Sequence, residues 1–397
     1  MRNLRNFLLN VYGVSFTNAL MFMYPVMALM FVDKGVSDGG VSALLAIWAG
    51  SVMLMQIPVN ALAQRFSHKN IVIFGQFMKI ACFMLFIFWP SFWGFALGFV
   101  LWGVQWAVYD AVFESLVYEE LKALKQRKIY TKICARQSAF GQVAFMIAMT
   151  GSLMSPLGYE FVVLITSAAM LLSVFFAARL PMSRAAPKKR GAMVAALKSL
   201  RLSFGIVRRS KYLLYLLIMV SFISMINSMD DYTGLVGVEL GIPEKFIGGL
   251  FLLITFCQSV GNAVAPKLEK LGERMISIGA LGLGASLALL WVFWTLPGLL
   301  FLCALFFIHG IVKVLAFARF QHSISSNCRT MFLSFYSIAA NAMCLLMYAL
   351  VGAGTMFGGF RYSMLFMGVL CLALGLYALL FAPRKTRREK IESCVIG

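Results

Sequence analysis

The sequence predicts an all-α polytopic membrane protein, one that crosses the bilayer many times. Of its 397 residues, 61% are hydrophobic and 13% are charged, and the mean hydropathy is +0.86, so the chain is far more apolar than a soluble domain. Apolar runs of about twenty residues, the length that spans a hydrocarbon core, recur along the whole chain. The first run begins near Leu8 and is too long for the core of a cleavable signal peptide.

The apolar runs predict twelve transmembrane helices in two sets of six. The first set covers residues 8–31, 41–63, 71–89, 92–116, 133–154 and 161–180. The second set covers residues 212–229, 246–265, 276–295, 298–317, 331–352 and 362–381. We therefore predict an N-terminal six-helix bundle over 1–183, a cytoplasmic linker over 184–211, and a C-terminal six-helix bundle with a basic cytoplasmic tail over 212–397.

The distribution of lysine and arginine predicts the orientation. These residues are concentrated in the connections after even-numbered helices and at both termini, whereas the other side has little beyond Lys34, Lys245 and Arg361. Because positively charged loops stay in the cytoplasm, both termini are predicted to be cytoplasmic. The same asymmetry accounts for most of the formal charge of +20, which therefore does not predict nucleic-acid binding.

The cysteines and histidines predict neither a metal site nor an enzyme. Six of the eight cysteines lie in apolar runs, and the other two, Cys328 and Cys394, lie in predicted cytoplasmic stretches. No Cys/His spacing is typical of a metal site, and the three histidines are scattered without a catalytic motif. We predict reduced, structural thiols and no cofactor.

The linker contains a predicted amphipathic helix. Apolar residues recur there at helical spacing, and the lysines and arginines fall mostly on other sides of the turn; the apolar residues are Met193, Leu197, Leu200, Phe204 and Val207. Such a helix lies on the cytoplasmic leaflet, where its basic residues contact anionic lipids. A solvated linker is the alternative.

An internal repeat relates the two halves. The segments "QIPVNALAQRF" from Gln56 and "QSVGNAVAPKL" from Gln258 share Gln, Asn and two Ala residues in register, and each closes the second helix of its half. Their equivalent positions favour a duplication, which predicts two pseudo-symmetric six-helix bundles. Repeated halves of this kind are associated with alternating access.

In its topology and in one loop, the chain resembles the major facilitator superfamily of transporters. The signature loop of that family, between helices 2 and 3, runs approximately G-x-L-a-D-R-x-G-R-K, and "NALAQRFSHK" occupies that place. Leu62, Arg65 and Lys69 match the pattern, whereas Asn60, Gln64 and Ser67 replace the first glycine, the acid and the second glycine. The resemblance in topology covers nearly the whole chain.

A second segment narrows the resemblance. Bacterial members of one broad subgroup carry a fourth helix that ends like E-A-L-x-Y-D-S-L-K, followed by a charged loop and an arginine early in helix 5. Here "ESLVYEELK" from Glu114 and the following loop up to Arg136 reproduce that order. This resemblance implies an efflux-like solute transporter of a bacterial inner membrane.

A cytoplasmic gate is predicted at the ends of helices 4 and 5. Helix 4 runs toward the cytoplasm, so Glu119 lies near that interface and Arg136 lies a short way into helix 5 from the same side. We predict an ion pair between them that holds the two helix ends together when this face is closed, and we assign Arg65 of the signature loop to the same gate. Two independent side chains that reach to the interface are the alternative.

Asp110 and Glu114 lie one turn apart in helix 4, on one face and closer to the middle of the bilayer. Desolvation and mutual repulsion make such a pair prone to bind a proton, as a proton carrier must. One alternative is a structural pair neutralised by Lys79 in helix 3 or Lys313 in helix 10. Another is direct binding of substrate.

Other polar residues in the apolar runs are candidates to line a substrate cavity: Asn18, Gln105, Asn227 and Asn341. Hydrogen bonds between helices are the alternative for each. Lys79 and Lys313 join this set because either could bind an anionic substrate. Asp230 and Asp231 are interpreted as a solvated end of helix 7, and the alternative is that they attract cations or bind a proton in an outward-open state.

We therefore predict a secondary active transporter without enzymatic activity, which moves a small organic solute by alternating access, driven by protons, with efflux favoured. A proton-coupled uptake permease and a lipid flippase or facilitator of similar fold are the alternatives. The predicted partners are the solute, protons and membrane lipids, with no nucleic acid. The chain is predicted to act as a monomer.

Overall fold

The computed structural model describes residues 4–63, 65–182, 205, 210–268, 274–324 and 329–381. Within these ranges twelve helices are long and apolar enough to cross a membrane, and no strand is present. The predicted all-α, twelve-helix fold class is confirmed.

The helices follow one another with short connections. The first six are α1 (Leu4–Asp33), α2 (Asp38–Ala63), α3 (His68–Phe88), α4 (Phe92–Ala123), α5 (Tyr130–Ala148, continued by a 3-10 segment Met149–Leu157) and α6 (Tyr159–Ala178). The next six are α7 (Lys211–Glu239), α8 (Ile247–Leu268), α9 (Arg274–Val292), α10 (Leu299–Ser323), α11 (Arg329–Thr355) and α12 (Phe360–Phe381). Both α4 and α10 continue beyond their predicted ends at residues 116 and 317.

Internal contacts divide the chain into two units. The first unit contains Met1–Met193 and Pro243–Gly249, and the second contains Val194–Ile242 and Leu250–Gly397. The first unit thus holds α1 to α6, and the second holds α7, most of α8, and α9 to α12. The predicted linker over 184–211 lies outside the described residues, apart from Gly205, Ser210 and Lys211, so its amphipathic helix stays a prediction.

Equivalent helices pack together in the two units. In the first unit α1 contacts α5, and α3 contacts both α4 and α6; in the second unit α7 contacts α11, and α9 contacts both α10 and α12. Each helix pair of the first unit therefore has a counterpart in the second unit whose helix numbers are higher by six. The same three pairs occur in both units. This packing supports the duplication that the segments at the ends of α2 and α8 predict.

Helix α1 is broken inside the membrane span, where the sequence predicted one continuous helix. Its first segment ends at Ala19, and the chain resumes as a 3-10 turn Tyr24–Val26 and a helix Met27–Asp33. Pro25 explains the break, because proline has no amide proton and its ring clashes with the carbonyl one turn earlier.

The predicted end of α7 is also wrong. This helix passes through a 3-10 turn, Ser228–Tyr232, and continues as Thr233–Glu239. Asp230 and Asp231 therefore lie inside the span rather than at a solvated end. The buried Tyr348 of α11 donates a hydrogen bond to Asp231 Oδ2 at 2.8 Å, and such a partner lets the chain keep a carboxylate there.

Helix α4 contains a π turn, Tyr109–Phe113, between the α-helical segments Phe92–Val108 and Glu114–Ala123. A π turn places one extra residue in a helical turn, and such turns are frequent at functional sites. After Phe113, each residue therefore occupies the place on the helix surface that the preceding residue would have in a regular 3.6-residue repeat.

At the side predicted to be external, Lys34 joins the end of α1 to the start of α6. Its Nζ donates a hydrogen bond to Glu160 Oε1 at 2.6 Å. This bond raises the pKa of Lys34 above its ordinary value, so the ammonium stays charged. Because the pair is partly exposed, it contributes little to stability, and both residues are useful surface controls.

A glycine sets how closely α2 and α4 approach. A Cβ built at Gly103 would lie 2.5 Å from Ser51 Cβ, whereas one built at Gly141 of α5 meets nothing within 4 Å. Small residues allow close helix packing in membranes. We therefore expect Gly103→Ala to lower the free energy of unfolding by roughly 1–3 kcal/mol, and Gly141→Ala to leave it unchanged or raise it. Melting curves in detergent measure both, and equal effects would contradict this role for Gly103.

Candidate functional site

The π turn of α4 brings the two predicted proton-binding carboxylates into different surroundings. Asp110 is exposed and Glu114 is half-buried. Glu114 Oε2 accepts a hydrogen bond from Tyr130 OH of α5 at 3.2 Å and lies 3.9 Å from Cys134 Sγ. Glu114 is therefore the one held by protein groups, and Asp110 is open to its surroundings.

In the part of the chain that the structure describes, neither predicted neutralising lysine forms an ion pair with these carboxylates. Lys79 instead donates to Asn18, and Lys313 donates to Asn227. A carboxylate inside a membrane helix without a paired cation is less costly when it carries a proton. The arrangement favours binding and release of a proton at Glu114, with Tyr130 and Cys134 as adjacent groups.

The predicted ion pair between Glu119 and Arg136 is not formed in this structure. Glu119 Oε2 lies 3.7 Å from Nζ of Lys122, three residues later in α4, and Arg136 is exposed. Arg65, which follows α2, is exposed as well. The pair with Lys122 is itself partly exposed, so it contributes little to stability.

The buried carboxylate at this end of α4 is Glu120. Glu120 is 1% exposed, whereas the side chain of Glu119 is 31% exposed. The π turn explains the difference, because its extra residue moves Glu120 onto the face that a regular helix would give to Glu119. Glu120 was not predicted from the sequence, because a π turn leaves no signal in the spacing of apolar residues.

Three predicted substrate residues meet in the first unit and form the Lys79 cluster: Asn18 of α1, Lys79 of α3 and Gln105 of α4. Lys79 Nζ donates to the backbone oxygen and to Oδ1 of Asn18, both at 3.3 Å, and Gln105 Nε2 donates to the same Oδ1 at 3.0 Å. Lys79 is fully buried, and its Nζ lies 5.5 Å from the ring centre of Trp102. Neutral oxygens and an aromatic face thus hold a buried cation.

The break in α1 makes this cluster possible. A helix leaves its last carbonyl oxygens without partners in the helix, so the oxygen of Asn18, one residue before the end at Ala19, can accept from Lys79. Gln105 Oε1 and Trp102 Nε1 are buried without a hydrogen-bond partner among the described residues.

In the second unit, two predicted residues belong to one hydrogen-bonded series, the Lys313 chain. Lys313 Nζ of α10 donates to Asn227 Oδ1 of α7 at 3.2 Å, and Gln258 Nε2 of α8 donates to the same oxygen at 3.0 Å. Gln258 Nε2 also donates to His309 Nδ1 at 2.9 Å, and His309 Nε2 donates to the backbone oxygen of Ile223 at 3.0 Å. The series links α7, α8 and α10.

These contacts determine the protonation of His309. The backbone oxygen of Ile223 can only accept, so His309 Nε2 carries the proton, and Nδ1 accepts from Gln258. If Nδ1 also carried a proton, two donors, Nδ1 and Gln258 Nε2, would point at each other and this hydrogen bond would be lost. The fully buried His309 is therefore a neutral ring that keeps Gln258 oriented toward Asn227.

Two members of this site, Gln258 and His309, were not predicted from the sequence. His309 lies four residues before Lys313 in α10, and this spacing places two side chains on one helix face, so it is the signal that could have found the histidine. Gln258 is the first residue of the second repeated segment, which is a weaker signal. Asn341, by contrast, donates to the backbone oxygen of Ser337 in its own helix at 2.9 Å.

Comparisons with known proteins agree with the observed architecture. A sequence model of the Major Facilitator Superfamily matches residues 9–330. Among solved structures, the chain is similar to the nucleoside transporter NupG, with 14% identity and a TM-score of 0.77 over 96% of this chain and 100% of that one.

Two further solved structures share the fold. One is a D-xylose-proton symporter, with 14% identity and a TM-score of 0.66 over 96% of this chain and 97% of that one. The other is a variant of the peptide transporter POT, with 15% identity and a TM-score of 0.71 over 95% of this chain and 94% of that one. No curated protein matches the chain in sequence.

Proposed function

Since the chain belongs to the Major Facilitator Superfamily, we propose that it is a secondary active transporter that carries a small organic solute by alternating access, coupled to protons. The family and the twelve apolar helices of the described residues make it a multi-pass membrane transporter.

The observation that carries the proton coupling is the environment of Glu114. This half-buried carboxylate lies inside a membrane helix, beside a π turn, with a hydrogen bond from Tyr130 and no paired cation in the described chain. A permanent ion pair would keep such a group charged, whereas a carrier must bind and release its proton. The similarity to a protein named as a proton symporter agrees with this role.

The Lys79 cluster and the Lys313 chain are proposed to contact the solute. Each places an ammonium and amide groups inside a membrane-spanning unit, where polar groups are costly and usually serve transport. Asn18 and Gln105 would act in the first unit and Asn227 in the second. Asn341 is proposed as a further polar group on the solute path.

Efflux is the proposed direction, supported by the resemblance of the segment from Glu114 and of Arg136 to efflux-like transporters. A proton-coupled uptake permease is the alternative, and a lipid flippase is a second one. We also propose that Glu119 and Arg136, together with Arg65, form a gate in another conformation of the first unit.

Purified protein in liposomes tests this proposal. Small organic solutes would be screened for flux with and without an imposed pH gradient. Solute flux that requires the pH gradient supports proton coupling. Solute movement opposite to the protons indicates efflux, and solute movement in the same direction as the protons indicates uptake. Purely downhill flux that ignores the gradient would contradict the coupling, and transport of lipid alone would favour the flippase.

The proposed location is a bacterial inner membrane, with both termini in the cytoplasm. Ser37 and Gly241 are exposed in connections predicted to be external, and Lys125 is exposed in one predicted to be cytoplasmic. In a cysteine-free background, we expect Ser37→Cys and Gly241→Cys to react with an impermeant maleimide in intact cells, and Lys125→Cys to react only after lysis. The reverse pattern would overturn the orientation.

A further inference from the structure

The second unit contains a cavity of about 460 Å³ that combines one cation, a few polar groups and an apolar wall. Such a volume lies in the range of small-molecule sites, about 300–1,000 Å³. The lining side chains that matter here are Lys313, Asn262, Ser224, Tyr336, Ile223 and Phe317. A cavity that combines a charged side chain with an apolar wall is suited to an amphiphilic small molecule.

Lys313 lies deep in the membrane span, and its side chain is open to the cavity that it lines. At 1.5 Å per residue it is about 21 Å from the start of α10 and about 15 Å from its end. Its ammonium has three donors, and one is used by Asn227 Oδ1. Lys313 therefore retains donors for the cavity that it lines.

The other walls of the cavity are suited to an apolar body. The ring centres of Phe317 and Tyr336 lie 5.6 Å apart, which forms an aromatic surface. Tyr336 OH and Ser224 Oγ are 2.6 Å apart and hydrogen-bond to each other, which uses the hydrogen of one of the two hydroxyls and leaves the other as a donor. Lys313 is the charged group that can hold a polar head, and Asn262 is a further polar group in the lining.

We propose that this cavity binds a small organic anion, whose carboxylate or phosphate group is held by Lys313 and whose apolar body lies against Ile223, Phe317 and Tyr336. The proposal rests on the proposed transport function and names the class of its solute. An ammonium in a poorly solvated place gains most from an opposite charge, because charge-assisted hydrogen bonds are the strong ones. The volume accommodates a compact solute rather than a two-chain lipid.

The rest of the Lys313 chain positions the ammonium. Asn227 Oδ1 accepts from both Lys313 and Gln258, and His309 accepts from the second amide proton of Gln258. Each member restricts the orientation of the next, so the lysine is held toward the cavity before a ligand arrives. Such preorganisation lowers the ordering cost of binding.

The test compares anions with a neutral molecule of the same shape. Purified full-length protein is melted with 1-naphthoate, 1-naphthyl phosphate or 1-naphthamide, because a ligand that binds the folded state raises the melting temperature. We expect the two anions to stabilise the wild type and the amide to have no effect. Lys313→Gln should weaken anion affinity at least tenfold, Lys313→Arg should keep most of it, and the surface variant Lys34→Gln should not change it.

Several outcomes would overturn the anion site. These are no stabilisation by either anion, equal stabilisation by the amide, and unchanged anion affinity in Lys313→Gln. If Lys313→Gln does not fold, two other results decide the question. They are the difference between anions and amide in stabilising the wild type, and the anion affinity of Lys313→Arg. Lys313-dependent movement of fluorescent phosphatidylglycerol in liposomes, with no binding of naphthoate, would overturn the small-solute assignment.

Flux measurements separate this inference from the proposed function. Lys313-dependent binding of naphthoate without any flux driven by a pH gradient would support the site and contradict the transport proposal. Gradient-driven flux of a neutral solute that persists in Lys313→Gln would support transport and overturn the anion site.

Discussion

Replacing Glu114 with glutamine is expected to reduce transport driven by a pH gradient to background while substrate exchange continues. Glutamine keeps the shape of the side chain and still accepts a hydrogen bond from Tyr130, but it cannot bind and release a proton. Exchange does not require an empty, deprotonated carrier to return across the membrane. It therefore does not need the proton site.

The measurement is gradient-driven flux and exchange flux in the same liposomes. Asp110→Asn is the companion variant, and Glu160→Gln, a surface carboxylate paired with Lys34, is the matched control. A purely structural role predicts loss of folding or of both fluxes together. Full gradient-driven flux in both α4 variants would remove these carboxylates from the mechanism, and Asp230 and Asp231 would become the next candidates.

Replacing Lys79 with methionine is expected to raise or preserve thermal stability and to lower transport. Lys79 is fully buried and held by neutral groups. Replacing a buried ion pair with apolar side chains of similar volume is often neutral or stabilising by about 1–4 kcal/mol, because the cost of desolvating the charges disappears, and a lone buried lysine carries the same kind of cost. A charge kept at that depth is expected to serve transport. We expect the flux to fall by roughly tenfold or more, the effect of losing one charge-assisted hydrogen bond.

A second substitution shows whether Asn18 acts through Lys79. Asn18→Leu removes the Oδ1 that accepts from Lys79 and Gln105, so it should destabilise the protein by about 1–3 kcal/mol. The loss should be smaller in the Lys79→Met background, where only one donor is left unpaired. Melting curves and flux are measured for each variant, with Lys34→Met as the surface control. If Lys79→Met loses stability and transport together, the lysine is structural.

The location of the helices could be predicted because the bilayer makes it a local property. Each span must satisfy its own backbone hydrogen bonds in an apolar solvent, so an apolar run of sufficient length is enough to indicate a helix. The same background makes polar residues conspicuous. Asn18, Lys79 and Gln105 were therefore found as candidates before their contacts were known, and the structure brings these three together.

The partners of the polar residues could not be predicted. Asn18 meets Lys79 and Gln105 across 61 and 87 positions of sequence, and Gln258 meets His309 across 51. The spacing of residues within one helix states which face a side chain occupies, but not which other helix packs against that face. Helix packing within each unit makes that choice.

The sequence by itself determined the twelve spans and the two repeated halves, because each of these depends on composition or on the pattern of residues along the chain. The tertiary structure decided that Glu120 rather than Glu119 is buried, that Asp231 lies inside α7 with Tyr348 as its partner, and that Lys313 joins a chain ending at His309. These features depend on a π turn and on contacts between distant helices. A π turn shifts the following helix residues by one position, and this shift changes which side chain faces the core. The local cost of the shift is small, so the packing of neighbouring helices decides between a regular helix and one with a π turn.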